Sequence, residues 1–354
     1  MHMADALLSP AVGGTLWAAS AGAIAYCSAK VRKEPDDRKV PLMGVLGAFL
    51  FAAQMINFSI PGTGSSGHIG GGLLIAILLG PHAAILTIAS VLVVQALFFA
   101  DGGLLALGCN VFNLGVFPAF VAYPFIYRKI AGERREPGRI TVAAIVAAVA
   151  GLQMGAFAVV LETVASGISS LPFSGFVALM QPIHLAIGIV EGVATAAIVS
   201  FAYKARPEML QGTVQARPGA GHSLRKVLLA FLAAAVLTGG FASWFASGDP
   251  DGLGWAIAKV TGKEEPVGRS HGVHKMLAIL QDKIAFLPGY SFRKSGEGHN
   301  EAPPPRENPG GEGEANKEEA GRLGASVSGI VGGMITLAVV FLAGFLLRRR
   351  SETA

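Results

Sequence analysis

Apolar residues in this chain gather in long blocks separated by short polar connections. Ala11–Ala29 and Pro41–Ile60 each approach the ~20 residues that a helix needs to cross a bilayer. Ile69–Ala100 then runs 32 residues without a charge. Gly80-Pro81 punctuates it, which predicts a short third helix and a full fourth. Further blocks cover Leu104–Ile126, Ile140–Val164, Phe173–Tyr203, Val227–Ser247 and Leu323–Leu347. The pattern predicts an all-α polytopic membrane protein: a seven-helix bundle over residues 1–204, a linker at 205–226, and two additional transmembrane helices within 227–347. Between those two lies a long loop, 248–322. Its part 294–321 is rich in Pro, Gly and Glu, lacks the apolar residues for a core and reads as disordered.

The connections orient the bundle. Lys30–Lys39, Arg128–Arg139, Lys204–Lys226 and the tail 348–354, which opens on Arg348-Arg349-Arg350, are basic and fall on one side. The opposite loops, Pro61–His68, Asp101–Gly103 and Ser166–Pro172, hold no Lys or Arg. Positive loops stay in the cytoplasm, so the amino terminus is expected outside and the carboxyl terminus inside. Composition agrees: 14% charged residues and a mean hydropathy of +0.54, against ~25% charged in soluble domains. The net charge of +5 sits in loops and reports topology, not nucleic-acid binding. Cys27 and Cys109 lie in apolar blocks, away from disulfide or Cys-rich metal chemistry. Met1–Pro10 lacks the basic start of a cleaved signal and carries Asp5, so the amino end is expected to be kept.

That end carries the sharpest chemical signal. A histidine in second position offers a metal three nitrogens: the terminal amine, its own amide and its imidazole. The chelate rings have five and six members and close without strain. His2 after a retained Met1 therefore presents a planar set, and one further imidazole completes a square suited to Ni(II) or Cu(II). His68, in the glycine-rich run Pro61–Gly72 on the same outer face, is the candidate fourth nitrogen. The predicted metal ligands are Met1, His2 and His68. Ligands need supports, and Asp5, Asn57, Asn110 and Asn113 are the candidates, with Gln54 beside them. Glu162, His184 and Glu191 lie at membrane depth, where polar groups are functional candidates or interhelical glue. His82 sits at a cytoplasmic turn and is expected to be interfacial. His271, His274 and His299 lie in the long loop with no visible ligand set around them. Gly14, Ala18 and Gly22 line one face of the first helix and permit either internal packing or a partner's close approach. No nucleotide-binding G-x-x-x-x-G-K-[ST] loop, H-E-x-x-H motif or nucleophile–base pair occurs. Hence no catalytic residue and no cofactor is predicted, and the chain is not expected to be an enzyme.

The run Met1-His2-Met3-Ala4-Asp5 with Leu7-Leu8-Ser9-Pro10 resembles the amino terminus of the nickel- and cobalt-specific substrate-binding components of energy-coupling factor transporters (NikM/CbiM). The likeness continues through Gln54–Phe58, Gly67–Gly71, Gly108–Asn113 and His184–Gly192, covering about Met1–Lys204. Ser247–Leu253, with its Pro-Asp-Gly-Leu sequence, resembles the family's small two-helix accessory subunit (NikN-like, PDGLE-type), fused here to the same chain; Gly254 departs from the family's Glu. The resemblance implies a component in a prokaryotic plasma membrane that captures Ni2+ (or Co2+) outside. A membrane coupling subunit and two cytosolic ATPases would then drive it to topple and import the ion. It also implies Met1, His2 and His68 as ligands. Two alternatives stand: cobalt uptake for cobalamin biosynthesis by the same mechanism, and a membrane metal sensor that transports nothing.

Overall fold

A computed structural model describes residues 2–33, 38–132, 136–169, 171–205, 223–262, 272–293 and 312–349. The chain is an all-α polytopic membrane protein. Seven helices fill residues 10–205: α1 (Pro10–Lys33), α2 (Lys39–Gln54), α3 (Gly72–Leu79), α4 (Pro81–Phe99), α5 (Leu107–Ala131), α6 (Pro137–Ser166) and α7 (Phe173–Ala205). Two more, α8 (Leu224–Gly240) and α11 (Glu312–Arg349), pack beside α2. The loop between them carries two short helices, α9 (Gly252–Thr261) and α10 (Val273–Ile284).

Three elements differ from the sequence reading. The second apolar block ends as a helix at Gln54, and Phe58–Ile60 becomes a strand, β1. It pairs antiparallel with β2 (Ser65–Gly67), with Phe58 opposite Gly67 and Ile60 opposite Ser65. Gly62 and Gly64, both at positive φ, make the intervening turn. The fifth span winds in the wider π form over Phe112–Tyr127, which contains Pro118 and Pro124. Neither proline donates to the preceding turn, so the regular ladder loosens there. Finally, residues 312–321, expected within a disordered linker, are the first turns of α11, whereas 294–311 lie outside the described residues.

Small residues set the helix spacings. A side chain at Gly192 of α7 would come within 2.5 Å of the Ile145 Cα on α6, and one at Gly188 within 2.9 Å of the Val149 Cα. Gly239 of α8 meets Gly329 of α11 backbone to backbone, and Gly332 of α11 receives the Phe51 ring of α2. In lipid such close packing replaces the hydrophobic drive as the source of association. The apolar core runs through α2, α3 and α4, where Leu46, Leu50, Leu74, Ile77 and Ile85 are buried. α1 is held at one edge and buries only Gly13, Ser20 and Cys27.

Candidate metal centre

The amino-terminal segment is drawn into one end of the bundle. Met3, Leu7 and Leu8 are fully buried, so the apolar side chains around His2 anchor it. Polar contacts fix the register. The Met3 N–H donates to Asn110 Oδ1 (2.8 Å), and the Met3 carbonyl accepts from Gly103 N–H (2.9 Å). Asp5 Oδ1 accepts from Ala106 N–H (2.9 Å), and a side chain at Gly103 would strike the Asp5 carboxyl. Asn110 and Asp5 thus hold the segment that presents His2.

His68 arrives from the other side, two residues before Gly70. Its imidazole lies parallel to that of His2, with centroids 5.1 Å apart and planes 10° apart. His68 Nδ1 lies 3.1 Å from the Ile69 carbonyl, which can only accept, so Nδ1 carries the hydrogen and the lone pair resides on Nε2. Burial pushes the His68 imidazole down to about 3, so the ring is neutral at physiological pH. The segment after His68 is pinned by buried groups from three helices. Glu191 of α7 accepts from Gly70 N–H (2.8 Å) and Gly71 N–H (3.0 Å), one on each carboxyl oxygen. Gln54 Nε2 donates to the Gly70 carbonyl (2.9 Å), and Gln95 Nε2 donates to Gln54 Oε1 (2.9 Å).

Two expected supports stand elsewhere. Asn113 donates to Glu162 Oε2 (2.9 Å) inside the bundle. Asn57 touches the second half of the chain through its backbone carbonyl, which accepts from Ser247 N–H (2.7 Å). Glu162 is itself buried. His82 contacts the rings of Tyr26 and Phe120 at its turn. His274 is buried, with Nε2 2.8 Å from the Leu8 carbonyl. Met1, His271 and His299 lie outside the described residues.

Sequence reasoning missed two carboxylates here. Asp101 Oδ1 lies 3.2 Å from His2 Nδ1. Burial alone would raise this carboxyl, but the charge and hydrogen bond of His2 and the Tyr290 hydroxyl hold it well below the usual range. Asp251 caps α9, accepting from Gly254 N–H (2.7 Å), and faces a cavity of about 10 Å³ lined also by His68, His184 and Gly252. That is room for roughly one water molecule. His184 Nδ1 is bound to the Met180 carbonyl (2.8 Å), and its buried Nε2 has no partner among the described residues. Among the described residues, no group of three or more His, Cys, Asp and Glu side chains is arranged to hold a metal.

The loop before α9 seals this side. Ser66 N–H donates to the Pro250 carbonyl (2.8 Å), Ser66 Oγ to the Asp249 carbonyl (2.8 Å), and Trp255 Nε1 to the Thr63 carbonyl (2.9 Å).

Residues 2–209 match the family model described as the cobalt uptake substrate-specific transmembrane region, CbiM, and residues 225–349 match the PDGLE domain. The chain belongs to the CbiM family. A protein of Archaeoglobus fulgidus described as a fused nickel transport protein, NikMN, is 31% identical over the full length of both chains. The cobalt transport protein CbiM of Sorangium cellulosum is 33% identical over 62% of this chain and all of its own. A crystal structure of a transition metal transporter superposes with a TM-score of 0.51 at 31% identity, covering 58% of this chain and 93% of that one. The two matches leave residues 210–224 between them. His2 and His68 are in the CbiM region, and the Asp249–Trp255 segment that covers Ser66 belongs to the PDGLE domain.

Proposed function

We propose that the chain captures a divalent transition metal, nickel in preference to cobalt, on the outer side of the membrane. It imports the ion as the substrate-specific component of an ATP-driven energy-coupling factor transporter. The observation that carries this reading is the parallel pair of imidazoles, His2 and His68, 5.1 Å apart on the buried outer end of a CbiM-family bundle. Metal–nitrogen bonds are ~2.0–2.1 Å long, so the two rings are near enough to share one ion once they turn out of their parallel stacking. A second-position histidine suits a site in which the chain's own nitrogens take part. The Met1 amine, the His2 amide, the His2 imidazole and His68 Nε2 make such a set, and its planarity favours nickel. The PDGLE domain and the full-length likeness to a fused nickel transport protein support the same choice.

The chain performs no chemistry on its cargo. ATP hydrolysis belongs to two cytosolic subunits acting through a membrane coupling subunit. The outward face of α1 supports that assembly: a side chain at Gly14 or Gly22 would meet nothing within 4 Å, and Ala18 between them is exposed. Small residues on a free helix face admit another helix closely.

The test is equilibrium dialysis of the purified full chain against nickel and cobalt, with His2→Ala and His68→Ala alongside. Both variants should lose high-affinity binding while remaining folded. Wild-type nickel affinity in either would overturn the ligand set, and equal affinity for the two metals would overturn the preference.

A further inference from the structure

The PDGLE domain touches the metal centre at a second place, far in sequence from its Pro-Asp-Gly-Leu segment. α10 and the turn after it lie across residues 96–103. Gln281 Nε2 donates to the Ala96 carbonyl (2.9 Å) and to the Gly102 carbonyl (2.8 Å), bracketing Asp101. Leu287 N–H donates to the Phe98 carbonyl (3.3 Å). Tyr290 stacks on Phe99, with centroids 5.1 Å apart and planes at 20°, and its hydroxyl donates to Asp101 Oδ2 (2.5 Å). The other Asp101 oxygen takes His2 Nδ1 at 3.2 Å. A continuous path therefore runs from Tyr290 through one carboxylate to the His2 ring.

The backbone indicates that this placement is imposed. Among the described residues, Ala100 and Tyr290 are the two non-glycine residues at positive φ, +51° and +60°. The left-handed region costs a residue with a Cβ ~1–2 kcal/mol, and such strain persists only where surroundings over-determine it. One strained residue precedes Asp101 in the chain, and the other supplies its hydrogen bond. Ring geometry adds the functional point. The six-membered chelate of a second-position histidine closes through Nδ1, the nitrogen that Asp101 holds here. The carboxylate thus turns the chelating edge of the ring into the site, and its negative charge stays beside the ring when an ion takes Nδ1.

We propose that Asp101, fixed by Tyr290 of the PDGLE domain, is the positioning residue that presents the His2 imidazole for metal capture. This rests on the ligand role of His2 proposed above. It gives the fused domain a hold on one ligand without contributing a ligand itself.

The test uses the purified full chain with nickel alone as probe, measuring equilibrium affinity and the visible absorption of the nickel-saturated protein. Asp101→Asn should weaken nickel binding at least about tenfold, because it removes a negative charge beside the incoming cation, with the spectrum at saturation unchanged. Tyr290→Phe keeps the stacking on Phe99 and should weaken binding in the wild-type background. It should have no further effect in the Asp101→Asn background, because Tyr290 acts through Asp101. Wild-type affinity in Asp101→Asn overturns the proposal, as does an equal Tyr290→Phe effect in both backgrounds. A changed spectrum in saturated Asp101→Asn would make Asp101 a ligand and also overturn it. Should Asp101→Asn fail to fold, unchanged affinity in Tyr290→Phe alone overturns it. His2→Ala separates the two readings. Wild-type affinity there removes the ligand role itself, whereas lost affinity there with wild-type affinity in Asp101→Asn removes only the positioning role.

Discussion

Replacing Glu191 by alanine should release the segment that carries His68. Glu191 is 2% exposed and accepts two backbone N–H groups, from Gly70 and Gly71, where α3 begins. A hydrogen bond to a charged acceptor contributes ~1.5–3 kcal/mol, and a buried donor left unpaired costs its desolvation. Two such bonds give an upper value of about 6 kcal/mol. Hydrogen bonds measured within membrane bundles average ~0.6 kcal/mol, so two give a lower value of about 1.2 kcal/mol. Gln54 and Gln95 remain to hold the Gly70 carbonyl, so the segment is loosened and not lost. Metal binding must re-order whatever has been loosened, and each ~1.4 kcal/mol of that cost is a tenfold loss of affinity. Nickel affinity in Glu191→Ala should therefore fall about tenfold or more. Glu191→Gln retains one acceptor oxygen and turns an NH2 toward the second donor, so it should fall between alanine and wild type. Affinity is read by competition with a chromogenic chelator, and folding by the thermal midpoint in detergent. Wild-type affinity in Glu191→Ala at an unchanged midpoint would refute the view that this carboxyl positions the His68 segment.

His68 sets a second expectation, for pH. Its folded value of about 3 lies below the ordinary 6.5. The unfolded chain therefore takes up a proton that the folded chain refuses as pH falls. The stability contributed by neutral His68 is complete above about 6.5 and is lost progressively toward 3. Thermal midpoints should decline more steeply across that window in wild type than in His68→Ala. Nickel affinity should also fall as pH drops, because the terminal amine and the His2 amide must shed protons to ligate. A flat profile between about pH 5 and 8, spanning the unperturbed amine near ~7.7–8.0, would contradict nitrogen chelation. Gly252→Ala would drive a Cβ into Ile183 and to 3.2 Å from His184 Cε1. It should lift the Pro-Asp-Gly-Leu segment and cut cellular nickel accumulation, while equilibrium binding at His2 and His68 stays largely intact. One residue inserted between Met1 and His2 should abolish high-affinity binding with the thermal midpoint unchanged, and retained affinity would refute the chelate.

The membrane class and the order of the helices were legible in the sequence, because each depends on local chemistry. About twenty apolar residues cannot leave a bilayer's core, basic loops take one side, and a second-position histidine is a chelator by covalent geometry alone. Asp5 and Asn110 were candidate supports, but what they touch was not legible. What the sequence did not contain was which distant carboxyl meets which nitrogen. Asp101 reads as an ordinary turn residue, and Tyr290 lies 189 positions away, yet the two share a hydrogen bond beside His2. Asn57 and Asn113 read as equally good supports, but helix rotation sends Asn113 to Glu162 and leaves Gln54 and Glu191 on the His68 segment. The hairpin at Phe58–Gly67 escaped the apolar count because three-residue strands are shorter than any period can register. Its pairing is completed by Asp249 and Pro250 from the far end of the chain. Burial drives these choices. A polar group taken out of water must find a partner, and which partner is near is decided by how the helices pack.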